Sequence, residues 1–265
     1  MMSDLKWMLS SDFQIPYQDD RAVKLWFDVM KWFKPGVVDY LGDISDQFCF
    51  SRFEEGTTKE FIKTLPPETQ IEDYLKYLQS EEKDTAEFYA KTREMRPNAE
   101  IFSALGNHDI RVFRYTDKKM PEILDQITPE SLWGLDNLGI DYIYYEDVPK
   151  NRYGDLFVHH GISALAESGA SIKSDINNLG VSLIRGHSHK MSAYYRSYPL
   201  RNEILRGYEI GHMCKVDSSA FKYDQIHNWQ QGFAVGLISG DNVHIQLIEV
   251  SQDYECWVAG KKFSA

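Results

Sequence analysis

Cysteine is scarce in this chain. There are three in 265 residues, Cys49, Cys214 and Cys256, far apart and in no CxxC spacing. That excludes a disulfide framework and leaves free thiols in a reducing cytoplasm as the expected state. Long apolar runs are missing too, and the start, Met1-Met2-Ser3-Asp4, has no basic stretch, so neither secretion nor membrane spanning is expected. Positive charge is outnumbered, 29 Lys and Arg against 40 Asp and Glu, for a net charge of −11. A broad polyanion-binding face needs clustered Lys and Arg. The balance excludes such a face, but not nucleic-acid chemistry at one metal-centred spot. Internal repeats, Gly/Ser linkers and a Gly-rich phosphate loop are also absent.

What is present is core-forming material: 43% hydrophobic residues, with 6 Trp, 16 Tyr and 14 Phe. This is enough for one large core, and a single domain over 1–265 is expected, with a helical insert at about 49–97. Leu5 to Ser11 reads as a strand. Val23, Trp26, Phe27, Met30 and Phe33 recur at three- and four-residue steps, which predicts a helix from Arg21 to Phe33, capped near Asp20 and stopped by Lys34-Pro35-Gly36. Val37–Leu41 is a second strand and Ala99–Leu105 a third. Helical segments are expected at about 67–96, 118–137 and 163–179, and strands at 142–145, 155–159 and 181–185. Phe233–Ile238 and Val243–Val250 flank the turn Ser239-Gly240-Asp241-Asn242 and read as an antiparallel hairpin. Strand–helix units followed by a strand-rich second half point to two sheets packed face to face with helices outside.

Five polar motifs stand where apolar runs end: Asp12-Phe13-Gln14, Gly42-Asp43-Ile44-Ser45-Asp46, Gly106-Asn107-His108-Asp109, His159-His160-Gly161 and Gly186-His187-Ser188-His189. Each offers carboxylate, amide or imidazole donors at a strand-to-loop handover. Oxygen and nitrogen donors gathered in this way suit a pair of divalent ions. Alternation along a strand sends His159 and His160 to opposite faces, so only one of the two reaches the site.

In order and composition these blocks resemble the calcineurin-like metallophosphoesterases, whose pattern is Asp-x-His, Gly-Asp-x-x-Asp, Gly-Asn-His-Asp/Glu, His before Gly, and Gly-His-x-His. The resemblance covers residues 12–189, and the run Asp12–Tyr17 with Asn228-Trp229-Gln230-Gln231-Gly232-Phe233 looks like a bacteriophage-encoded branch. It implies a four-layer α/β/β/α sandwich of two mixed sheets. It further implies hydrolysis of a phosphate ester by in-line attack of a hydroxide bridging two metals. On the resemblance Asp43 bridges both ions, and Asp12 and His189, with Gln14 as the variable ligand, hold the first. Asn107, His160 and His187 hold the second. His108 contacts the phosphate or protonates the leaving oxygen, and Asp46 orients His108. The departure is Gln14, where the family usually has His. Amide oxygen is a harder donor, which biases the first position toward Mn²⁺ or Mg²⁺ over Zn²⁺ or iron; Mn²⁺ is the expected ion, with Mg²⁺, Zn²⁺, Fe and Ni²⁺ as alternatives. Two divalent ions, one hydroxide and the Asp12 and Asp43 carboxylates leave the centre about one unit positive, an anion site on an anionic protein.

The expected partner is a phosphate-ester substrate, a nucleotide or nucleic-acid phosphodiester before a phosphoprotein, because Asp46 is followed by Gln47 and not by the Arg of many protein phosphatases. A monoesterase, a nuclease working in an assembly and a degenerate nucleotide- or protein-binding member are the alternatives. Arg111, Arg114, Lys190, Arg196 and Arg201 are weighed as phosphate contacts against surface ion pairs, with the ion pairs slightly ahead. Tyr194, Tyr195 and Tyr198 are read as packing residues. His212, His227 and His244 lie outside the blocks and are expected to be ordinary, and Cys214 matches none of them.

Overall fold

The computed structural model describes residues 4–51, 67–216 and 228–265; residues 52–66 of the expected insert and His227 lie outside the described residues. A six-stranded sheet has the order β11-β10-β1-β2-β3-β4. It contains β1 (Leu5–Ser10), β2 (Val37–Tyr40), β3 (Glu100–Ala104) and β4 (Ile140–Ile143), which run parallel, with β10 (Gly232–Ser239) antiparallel to β1 and β11 (Asn242–Glu249) antiparallel to β10. A five-stranded sheet has the order β5-β6-β7-β9-β8. There β6 (Leu156–His159), β7 (Ser182–Arg185) and β9 (Glu203–Ile210) are parallel, and β5 (Lys150–Tyr153) and β8 (Met191–Tyr198) form antiparallel edges. A small hairpin, β12 (Glu255–Val258) and β13 (Lys261–Ser264), follows.

Strand alternation sorts the core into layers. Trp7, Leu9, Val37, Phe102 and Ala104 meet Leu156, Val158, Ile184, Tyr208 and Ile210 between the sheets. Residues of the opposite parity, Met8, Val38, Tyr40 and Ile101, pack beneath α1 (Asp20–Phe33) and α2 (Pro67–Met95), against Trp26, Phe27, Phe88 and Tyr89. On the far side α5 (Ala170–Leu179) lays Ile172 and Ile176 on Leu183 and Leu205. The result is the four-layer α/β/β/α sandwich of two mixed sheets. Asp39 obeys the same parity and is forced between the sheets. It accepts both prongs of Arg152 from β5 at 2.9 and 3.0 Å, and Arg152 also pairs with Glu100 at 2.6 Å.

Several expected elements are corrected. The cap of α1 is Asp19, whose side chain accepts from the N–H groups of Arg21 and Ala22, one residue before the expected Asp20. The helical run expected at 118–137 is cut by Pro121 and Pro129. Helix α3 (Arg111–Lys119) starts earlier, directly behind the His108 loop, a 3₁₀ turn covers Pro121–Gln126, and α4 (Pro129–Trp133) follows a Thr128–Ser131 capping box. The segment expected at 163–179 is helical only from Ala170, because Gly169 holds a left-handed φ of 84° before it. Among the described residues no helix is long and apolar enough to cross a membrane.

Candidate metal centre

Every motif block leaves the carboxyl end of a strand, three from the first sheet and two from the second. Parallel strands deliver such loops to one end of the sheet, so the packed sheets bring all five blocks together. Backbone hydrogen bonds tie the loops pairwise: Gln14 N–H to the Asp43 carbonyl (2.9 Å), Gly186 N–H to the His160 carbonyl (3.0 Å), and Gln230 N–H to the His189 carbonyl (2.9 Å). Asp12, Gln14, Asp43, His187 and His189 all have positive φ, between 53° and 68°. Non-glycine residues rarely sit there, at a cost of about 1 kcal/mol or more each. At these five residues the strain lies in turns that carry the motif blocks.

The proposed second set converges. His160 Nε2 lies 3.1 Å from Asp43 Oδ2, 3.1 Å from Asn107 Oδ1 and 3.2 Å from His187 Nδ1. Donor atoms of Asp43, His160 and His187 all fall within 4.8 Å of one another. His160 Nδ1 donates to the Leu41 carbonyl at 2.7 Å, so in the neutral ring Nε2 faces these acceptors with a lone pair. The lone pairs of His160 Nε2, Asp43 Oδ2 and Asn107 Oδ1 then meet, an arrangement that fits a cation. Without one, a proton serves: burial pushes the His160 imidazole down, but the Asp43 carboxylate outweighs it and holds the ring up at about 9. His187 is pushed down to about 3 by burial and then by the neighbouring His160 charge.

The proposed first set is more open in its contacts. His189 Nε2 lies 3.1 Å from Asp12 Oδ1. Gln14 places Nε2 3.3 Å from Asp43 Oδ2, while its buried Oε1 has no hydrogen-bond partner. An orphaned buried amide oxygen costs about 1–3 kcal/mol, and a hard cation beside Asp43 would satisfy it. Burial works against the charge on Asp12 and Asp43, but the adjacent imidazoles hold both carboxyls below their ordinary range. His108 stands beside the cluster, Nδ1 3.0 Å from Asp46 Oδ2 and Nε2 3.9 Å from Asp43 Oδ2.

The residues that hold this arrangement were mostly not assigned from sequence. Asp109 accepts the backbone N–H groups of Asp43 (2.7 Å), Gly106 (2.8 Å) and Ser45 (2.9 Å), pinning two loops with one carboxylate. Its position in the fourth place of its motif was the available signal. Glu209 is fully buried and takes Ser188, Ser192 and the Gly169 N–H, which fixes the His187–His189 turn. His212, expected to be ordinary, is buried with its ring 5.4 Å from His189 and Nδ1 3.2 Å from Cys214 Sγ. Arg111 is no surface ion pair: it binds Asp46 and His108. Arg114 is, pairing with Glu146. His159 bonds the Tyr145 carbonyl and the Gly161 N–H.

No family model matches the chain. It is similar to the Gene 54 protein of Mycobacterium phage D29, 25% identical over 255 residues, and to the Gene 54 protein of Mycobacterium phage L5, 23% identical over 255 residues; each match covers 91% of this chain and 91% of the relative. Its structure is similar to Vacuolar Protein Sorting 29 from Cryptosporidium parvum, with a TM-score of 0.50 and 16% identity over 99% of both chains. At that identity the likeness is one of fold, and the shared fold is the four-layer two-sheet arrangement that the motif resemblance implies.

Proposed function

We propose that this protein is a metal-dependent phosphoesterase that hydrolyses a phosphodiester of a nucleotide or nucleic acid, using two divalent ions, with Mn²⁺ as the working metal. The observation that carries this reading is the convergence of His160 Nε2, Asn107 Oδ1, Asp43 Oδ2 and His187 Nδ1 beside His108 and its Asp46 partner. Asn107, His160 and His187 would hold one ion, Asp12, Gln14 and His189 the other, with Asp43 between them. When bound, such a pair supplies positive charge for phosphoryl oxygens and acidifies water. The chain supplies orientation. Asp46 holds the His108 ring so that Nε2 faces the cluster, within reach of a phosphoryl or leaving oxygen. Strained turns fix the ligand side chains before any substrate arrives, so little reorganisation is left to the reaction.

A second reading is favoured by Gln14, whose amide nitrogen points at Asp43 Oδ2. In that arrangement the first position is weakly occupied, and the protein binds a nucleotide or a protein partner without cutting. Mn²⁺-dependent hydrolysis of bis-p-nitrophenyl phosphate and p-nitrophenyl phosphate, by wild type, Asp43→Asn and Gln14→His, separates the two. Diester turnover that disappears in Asp43→Asn supports the phosphodiesterase. An inert wild type that gains activity in Gln14→His supports the binder.

A further inference from the structure

Arg111 lies at the start of α3, three residues past His108, and its guanidinium closes a triangle with His108 and Asp46. Nη2 is 3.0 Å from His108 Nε2, while Nη1 donates to the Asp46 carbonyl at 2.7 Å and to Asp46 Oδ1 at 3.2 Å. A guanidinium has five N–H donors, no acceptor, and keeps its charge in proteins. The contact at Nε2 therefore needs a lone pair on that nitrogen, which puts the ring proton on Nδ1, donated to Asp46 Oδ2. Nε2 is also the nitrogen that faces Asp43 across 3.9 Å. The edge of His108 nearest the ligand cluster is thus unprotonated and covered by Arg111.

Among the described residues these contacts engage three of the five N–H groups, and the Nε–H and one Nη2–H have no partner there, on a side chain that is 19% exposed. The loop Asp43–Gln47 carries no Lys or Arg. Of the other cations that follow the motif blocks, Arg114 is paired with Glu146, Lys190 donates to the Leu165 carbonyl, and Arg196 reaches Asn177. Arg111 is the one of these turned toward the ligand cluster.

We infer that Arg111 is the receptor for the substrate's phosphate group, and that phosphate binding draws its guanidinium off His108 Nε2. The inference rests on the phosphoesterase reading of the same site. An imidazole lone pair offers the guanidinium one neutral acceptor, whereas a phosphate offers full negative charge and two oxygens for parallel, bidentate bonds. An arriving phosphate therefore wins the Nη2–H. The Nη1 bonds to Asp46 stay in place and act as the pivot. His108 remains oriented by Asp46, and its Nε2 is uncovered only once the phosphate is bound, free then to take from water the proton it needs to contact a phosphoryl or leaving oxygen.

Calorimetric titration of inorganic phosphate into the Mg²⁺-loaded protein reads the receptor without turnover, and ¹⁵N NMR of the His108 ring reads the coupling. Wild type is expected to show the Nδ1–H tautomer before phosphate, and a shift of Nε2 on binding. Arg111→Ala should weaken phosphate binding at least tenfold and abolish the phosphate-dependent shift of His108 Nε2, while Asp46 keeps the proton on Nδ1. Arg111→Lys keeps the charge without the fork, and should recover part of the affinity but not that shift. If the alanine variant does not fold, by near-UV circular dichroism, the lysine variant carries the comparison. Equal phosphate affinity in wild type and variant overturns the inference, as do no binding by wild type and a His108 Nε2 shift that phosphate leaves unchanged. Ester turnover is read separately: a wild type that binds phosphate through Arg111 yet cleaves no ester sinks the phosphoesterase reading and leaves the phosphate receptor standing.

Discussion

The Asp12 carboxylate accepts the backbone N–H of His187 at 2.9 Å, joining the first and last motif blocks across 175 residues. The same side chain meets His189 through its other oxygen. One carboxylate thus aims a turn of the second sheet at a ligand set that begins on the first.

Asp12→Asn and Asp12→Ala should therefore differ. Asparagine can still accept the His187 N–H but gives up the charge that the neighbouring imidazoles favour, so the metal-free variant should lose about 1 kcal/mol. Alanine leaves that N–H without its partner and should lose about 2–3 kcal/mol. Urea denaturation in EDTA measures both, and equal losses would show that the bond does not position the turn.

Metal should stabilise the fold. Mn²⁺ at a hundredfold excess over its Kd adds about 2.7 kcal/mol, which for a chain of this size raises Tm by about 5–10 °C. The gain should vanish with EDTA and in Asp43→Asn. An Asp43→Asn protein that keeps the whole shift would place the ion elsewhere.

Gly106 has no room for a side chain, because a Cβ there would overlap the Asp43 carboxylate and backbone nitrogen. Gly106→Ala should cost about 2–3 kcal/mol and abolish the Mn²⁺-dependent Tm shift, by displacing Asp43. A stable variant with intact metal response would contradict the packing at this turn.

Asp39 predicts a pH dependence of stability. Burial outweighs its Arg152 partner and lifts its carboxyl from the ordinary 3.8 to about 6. Between pH 4 and 6 the folded chain thus holds a proton that the unfolded chain releases, so stability falls as pH rises through this window and is level above it. A rise from 3.8 to about 6 corresponds to about 3 kcal/mol. Denaturation at pH 4, 5, 6 and 7 should show this slope in wild type but not in Asp39→Asn; the same slope in both would assign it to other groups.

Within the first sheet β2 and β3 were legible because they are short apolar runs ended by Gly-Asp and Gly-Asn, and α1 because its apolar residues keep helical spacing. The edge strand β8 was not. Its residues alternate half-buried and exposed, with Tyr, Ser and Arg in place of an apolar run, so its pairing with β9 through Met191–Ile210 carries the strand. The break at 120–129 was written in Pro121 and Pro129 but masked by helix-forming residues around them.

By itself, the sequence determined the donor chemistry and its order along the chain: five blocks of carboxylate, amide and imidazole groups, each where an apolar run ends. Local residue type and spacing suffice for that. Only the tertiary structure decided which atoms meet. Asp109 and Arg111 take their roles from partners in the Asp43–Asp46 loop, and Glu209 and His212 from partners in the His187–His189 turn, brought close by strand pairing of β2 with β3 and of β7 with β9. A buried carboxylate or guanidinium declares its function through the donors and acceptors around it, and those are set by the sandwich, not by its neighbours in the chain.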